Sequence, residues 1–160
     1  MFKYILQLSL GMFILMVSTF VAWYEGSAIT YTYNSIEWEY STPFTHFFNH
    51  NITSGQDISQ LDYFVYSSKF QPMFPAIMIV SVIYMVSVIG FYLLSHITKF
   101  SIGYWGLICS LLILFSVFLS NSVTIGGKVI FWITCVSVLF CLIVVGVHIY
   151  KIKCPQININ

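Results

Sequence analysis

Four apolar stretches without a single Asp, Glu, Lys or Arg constrain this chain more than any other feature, at about 4–23, 73–95, 102–119 and 129–150. Each is about 20 residues long, the length a helix needs to cross about 30 Å of hydrocarbon. With 59% of its 160 residues hydrophobic and 7% charged, the chain lacks the polar surface of a soluble domain. The expected fold is membrane all-α. It has four transmembrane helices and one long polar connection, 24–71.

The first stretch follows Lys3 and could pass for a secretory signal. Phe20 and Trp23 flank Ala22, so the small-x-small cleavage pattern is missing, and an uncleaved anchor is expected. Trp23, Tyr24, Tyr104, Trp105 and Trp132 fall near span ends, where aromatic rings favour the interface. Lys3, Lys99, Lys151 and Lys153 share one side of this arrangement, and Lys69 and Lys128 the other. The lysine bias therefore places both termini in the cytoplasm and loop 24–71 outside a plasma membrane. All five acids, Glu25, Glu37, Glu39, Asp57 and Asp62, lie in that loop.

Several function classes fall away. The net charge is +1 with no Arg, so no basic patch could track a nucleic-acid backbone. No Asp, Glu, Lys, Arg or His lies deep inside a span, which argues against pumps and proton-coupled transporters; His96 and His148 sit near span ends. Cys109, Cys135 and Cys141 read as small buried hydrophobes and Cys154 as a free thiol. Gln7, Ser9, Ser18, Thr19, Ser81, Ser87, Ser110, Thr134 and Ser137, with Gly11 and Gly90, suit close helix packing. No catalytic constellation and no cofactor site emerges, and the reading is non-enzymatic.

The loop is far longer than a connection between bundled helices needs, so it is expected to fold. Ile29 to Tyr33 and Ile36 to Tyr40 both alternate apolar with polar around Asn34-Ser35, the pattern of a small β-hairpin. That register sets Tyr31 against Trp38 and Ile29 against Tyr40 on one aromatic face. Two short helices could cover it. One starts at Pro43 and offers Phe44, Phe47 and Phe48; the other opens near Asp57 and runs to about Phe70 before Pro72.

His46 and His50, four residues apart on the first short helix, are weak candidates for a metal, with Glu37, Glu39, Asp57 or Asp62 as a further ligand. The Glu that would follow the first His in a zinc-protease helix is absent.

Trp23-Tyr24-Glu25-Gly26-Ser27, Trp38 to Phe44 and Asp57 to Tyr66 resemble the YjdJ-like family of small bacillus-type membrane proteins. The resemblance implies a bacterial plasma-membrane protein and supplies no catalytic residues. The outline is also similar to claudin-type tetraspan proteins, but their paired loop cysteines are missing.

The expected role is that of an interaction or accessory protein acting through its outer loop. Tyr31, Trp38 and Tyr40 are the candidate contact residues for another membrane or envelope protein. The alternatives are a homo-oligomeric channel or small-solute permease lined by Tyr84 and Ser87, and a metal-binding sensor or enzyme through His46 and His50.

Overall fold

The computed structural model describes the backbone of residues 2–31, 35–48, 52, 54–96 and 98–153. It describes their side chains except at 35–37, 94–96, 98–100, 148 and 151–153. Among the described residues seven α-helices follow in order: α1 Phe2–Gly26, α2 Ser35–Ser41, α3 Pro43–Phe48, α4 Gln60–Phe70, α5 Met73–His96, α6 Thr98–Leu119 and α7 Ile125–Lys153. Short 3₁₀ turns at Ser27–Tyr31 and Gly55–Asp57 join them. Four of the helices, α1, α5, α6 and α7, are long and apolar enough to cross a membrane.

The long helices form two antiparallel pairs. In the first, α1 and α5, Tyr4 meets Tyr92 edge to face at 5.3 Å, and a Cβ on Gly11 would stand 2.7 Å from Met85. The buried positions of α1 are Gly11, Ser18, Ala22 and Gly26. Small residues along one stripe let backbones approach where lipid leaves no hydrophobic drive between helices. In the second pair Ser116 Oγ lies 3.3 Å from Cys135 Sγ. Trp105, Cys109 and Cys141 form its buried centre. The pairs join where Gly90 admits the Trp105 indole and where the Tyr104 hydroxyl donates to the Val86 carbonyl at 2.9 Å. Ser18, Ser81, Ser87 and Ser137 each return their hydroxyl proton to a carbonyl four residues back, so they carry no free donor into the bundle.

A layer of α2, α3 and α4 caps one end of the bundle. The chain approaches so closely that a Cβ on Gly26 would meet the Tyr63 carbonyl oxygen at 2.0 Å, and one on Gly126 the Ser68 carbonyl oxygen at 1.7 Å. α4 therefore lies across the end of α1 and the start of α7. Thr124 begins α7 by accepting the Gly127 N–H at 3.1 Å, the ordinary action of a helix N-cap.

The expected β-hairpin is not formed, and no strand occurs among the described residues. The described part of its first arm, up to Tyr31, continues the coil of α1: Ser27 Oγ donates to Tyr24 O and Thr30 Oγ1 to Ser27 O, both three residues back. Its second arm is α2, whose last turn closes where Thr42 N–H donates to Trp38 O at 3.1 Å. The two arms do meet, because the Trp38 indole N–H donates to Ile29 O at 3.1 Å and Ile29 is fully buried. They meet as turn and helix. A two-stranded ribbon leaves both edges unpaired and is marginal in water, whereas helices satisfy their own backbone and still bury Ile29. The proposed turn at Asn34 lies outside the described residues.

Candidate functional site

The capping layer holds the polar chemistry of the chain. Its keystone is Asp62, in the first turn of α4 and fully buried. One carboxylate oxygen accepts the Phe44 N–H at 3.0 Å; the other accepts the Thr45 N–H at 2.8 Å and the Thr45 hydroxyl at 2.6 Å. The first N–H groups of a helix have no partner within it, and here a carboxylate from another helix supplies one where the helix dipole also favours negative charge. Thr45 Oγ1 in turn accepts the Ser59 N–H at 2.7 Å, which binds the start of α4 to α3. Ser59 caps α4 through the Leu61 N–H. Across the layer, Lys69 Nζ donates to the Tyr40 carbonyl near the end of α2. Burial holds the Lys69 ammonium below the ordinary lysine value, against the opposing pull of Asp62.

This network fixes what the surface can offer. Tyr31 is 81% exposed and Tyr40 72%. Trp38 is part-exposed, and its indole N–H donates to Ile29 O. α3 also turns out differently from its expected inward apolar face. Thr45 points inward to Asp62, while Phe47 and Phe48 stand out at 80% and 69% exposure, their rings edge to face at 5.3 Å. The apolar content of Pro43–Phe48 suggested a buried face; the signal that reverses it is Asp62, seventeen residues beyond Thr45, which no local spacing reveals.

His46 lies on α3, and His50 falls outside the described residues. Of the carboxylates offered as a further ligand, Asp62 spends both oxygens on α3, and Asp57 accepts the Ser54 N–H at 2.9 Å. Among the described residues no group of three or more His, Cys, Asp or Glu gathers as a metal centre would.

Tyr84 and Ser87, the candidate pore residues, both line a lateral groove between α1, α5 and α7. The groove opens sideways.

The fold and cap thus define a helical bundle with four possible spans and a polar lid carrying exposed aromatics. The domain family described as "Domain of unknown function (DUF4306)" matches residues 5–94, which run from α1 through the cap to α5, and the chain belongs to that family. It is 31% identical over 85 residues to "Uncharacterized protein YjdJ" of Bacillus subtilis (strain 168), an alignment that spans 52% of this chain and 76% of that protein. No solved structure matches the chain.

Proposed function

We propose that this chain is a non-enzymatic, multi-pass plasma-membrane protein whose capping layer faces outward and docks onto another membrane or envelope protein. The observation that carries the reading is the pairing of a rigid support with exposed rings. Asp62 and Thr45 hold α3 against α4 through buried charge-assisted hydrogen bonds, and on that support Tyr31, Tyr40, Phe47 and Phe48 face away from the protein. Preorganised aromatics lose little conformational freedom on binding and dominate interface energetics. The excess of lysine at the opposite end of the bundle supports the outward orientation.

Crosslinking in intact cells followed by affinity capture tests the reading, comparing wild type with a variant carrying Tyr40→Ala and Phe47→Ala at equal membrane levels. A specific partner captured by wild type and lost from the variant is the expected result. Equal capture by both, or no partner beyond the chain itself, removes the docking role.

A further inference from the structure

The polarity of α2 and α3 is inverted. The helical phase carries across Pro43, because Thr42 N–H donates to Trp38 O and His46 N–H to Thr42 O, both at 3.1 Å. Ser41, Thr42 and Thr45 share one side of this run and are buried, whereas Tyr40, Phe44, Phe47 and Phe48, at i, i+4, i+7 and i+8, form an exposed stripe. Small hydroxyl residues turn inward and four rings turn out.

The break at Pro43 is braced from α4. Pro43 has no N–H to return to Glu39 O, and the Phe44 and Thr45 N–H groups go to the Asp62 carboxylate. Tyr40 O is left to accept from Lys69 Nζ. Asp62 and Lys69 stand seven residues apart on α4, about two turns along one face, so a single helix holds α3 by its donors and α2 by an acceptor. The stripe is therefore presented on a braced helix.

Charge around the stripe has one sign. Loop 24–71 holds five acids and one lysine, a net charge of −4, and that lysine is spent on Tyr40 O. Neither α2 nor α3 contains Lys or Arg, while Glu39, next to Tyr40, is exposed. Among the described residues Lys128, in the first turn of α7, is the other base at this end of the bundle. The four rings offer about 500 Å² of apolar surface, a patch of the size that marks an interaction surface. A helix that lies on a bilayer carries Lys or Arg along its polar face, and this one has none. A second copy would set the same acids against each other across a two-fold axis.

We propose that the outward stripe of α2 and α3 docks a basic protein segment, whose arginine or lysine side chains lie over the Tyr40 and Phe47 rings and pair with Glu39. This rests on the docking reading above and names the chemistry of the partner. A cation over a ring face is attracted by the ring quadrupole, and the carboxylate beside Tyr40 supplies its counter-charge. The acidic loop steers such a segment toward the rings and turns acidic partners away.

The test uses the full chain in phosphatidylcholine nanodiscs and three fluorescent peptides of equal length and leucine content, whose polar residues are all arginine, all glutamine or all glutamate. Binding is read by anisotropy after subtraction of empty discs. The arginine peptide should bind about tenfold more tightly than the glutamine peptide, the glutamate peptide should bind most weakly, and added salt should narrow the difference. Glu39→Lys should cost the arginine peptide about tenfold, with Glu39→Gln between it and wild type, and Phe47→Ala should weaken all three peptides. Equal binding of the arginine and glutamine peptides, both weakened by Phe47→Ala, overturns the basic partner and leaves the docking reading standing. An arginine preference untouched by Glu39→Lys and Phe47→Ala lies elsewhere on the protein and overturns the proposal, as does the absence of binding above empty discs. If a bimane on Phe47→Cys, in a background with the other cysteines replaced by serine, is quenched by a nitroxide on the lipid chains, the rings lie in the bilayer, and the proposal and the docking reading fall together.

Discussion

Asp62 bears on stability more directly than any other residue outside the spans, because three donors converge on one buried carboxylate. Removing it strands two backbone N–H groups and a hydroxyl away from water. Hydrogen bonds to a charged group contribute roughly 1.5–3 kcal/mol each at most, and their losses overlap at one site. Asp62→Ala is therefore expected to destabilise the cap by about 3 kcal/mol. Asp62→Asn, which keeps an acceptor oxygen and loses the charge, should lie between it and wild type. Hydrogen exchange at the Phe44 and Thr45 amides reads the effect locally; unchanged protection in Asp62→Ala would deny the carboxylate this role. Lys69 yields a second expectation, with a definite sign. Burial lowers its folded pKa below 10.5, so the unfolded chain binds more protons in the interval between the two values. Stability conferred by this group is full above 10.5, declines as pH falls through the interval, and levels off below the folded pKa. The difference in melting temperature between wild type and Lys69→Met, taken at each pH in micelles, should therefore move in favour of wild type as pH rises toward 10.5 and flatten beyond it. A difference that stays constant would refute the shift.

At the scale of elements, the cap is seated by two backbone contacts that only glycine permits, Gly26 under Tyr63 and Gly126 under Ser68. Each opposing atom is a carbonyl of α4, and a helix backbone yields far less readily than a side-chain tip. Gly126→Val should thus lift α4 from α7 at a cost of about 1–3 kcal/mol, the usual range for overpacking, while Gly103→Val, on α6 where a Cβ meets nothing, should be tolerated within about 0.5 kcal/mol. Thermal unfolding of the two variants gives the contrast, and equal losses would mean that α4 is not seated this way. These elements also show what could be read in advance. Hydropathy made the four long helices visible because each is apolar all round, and Pro43 and Phe70 mark the start of α3 and the end of α4 in the residue pattern itself. Ile29 to Tyr40 misled, since five residues of alternation cannot separate a strand from a helix whose burial is set elsewhere. The groups that act on it are Ser27 and Thr30, which tighten the coil after α1, and Lys69, distant in sequence, which donates to the Tyr40 carbonyl.

The whole molecule divides at the edge of the family match. Residues 5–94 take in most of α1, the cap and most of α5, a unit in which the small-residue stripe of α1 meets α5 and α4 takes its seat on Gly26. The α6–α7 pair joins that unit through Gly90 and Trp105 on one side and Gly126 on the other, and it closes the third wall of the groove with Val136, Ser137 and Phe140. Because adjacent spans are antiparallel, the cap and the turn before α7 share one end of the bundle, and the two termini share the other. One accessibility measurement therefore orients everything. In a background with the four cysteines replaced by serine, Phe47→Cys should react with a membrane-impermeant maleimide in intact cells, and Asn158→Cys only after permeabilisation, as the lysine bias requires. The reverse pattern would place the exposed rings of the cap in the cytoplasm, where no envelope component could meet them, and the docking reading would fall.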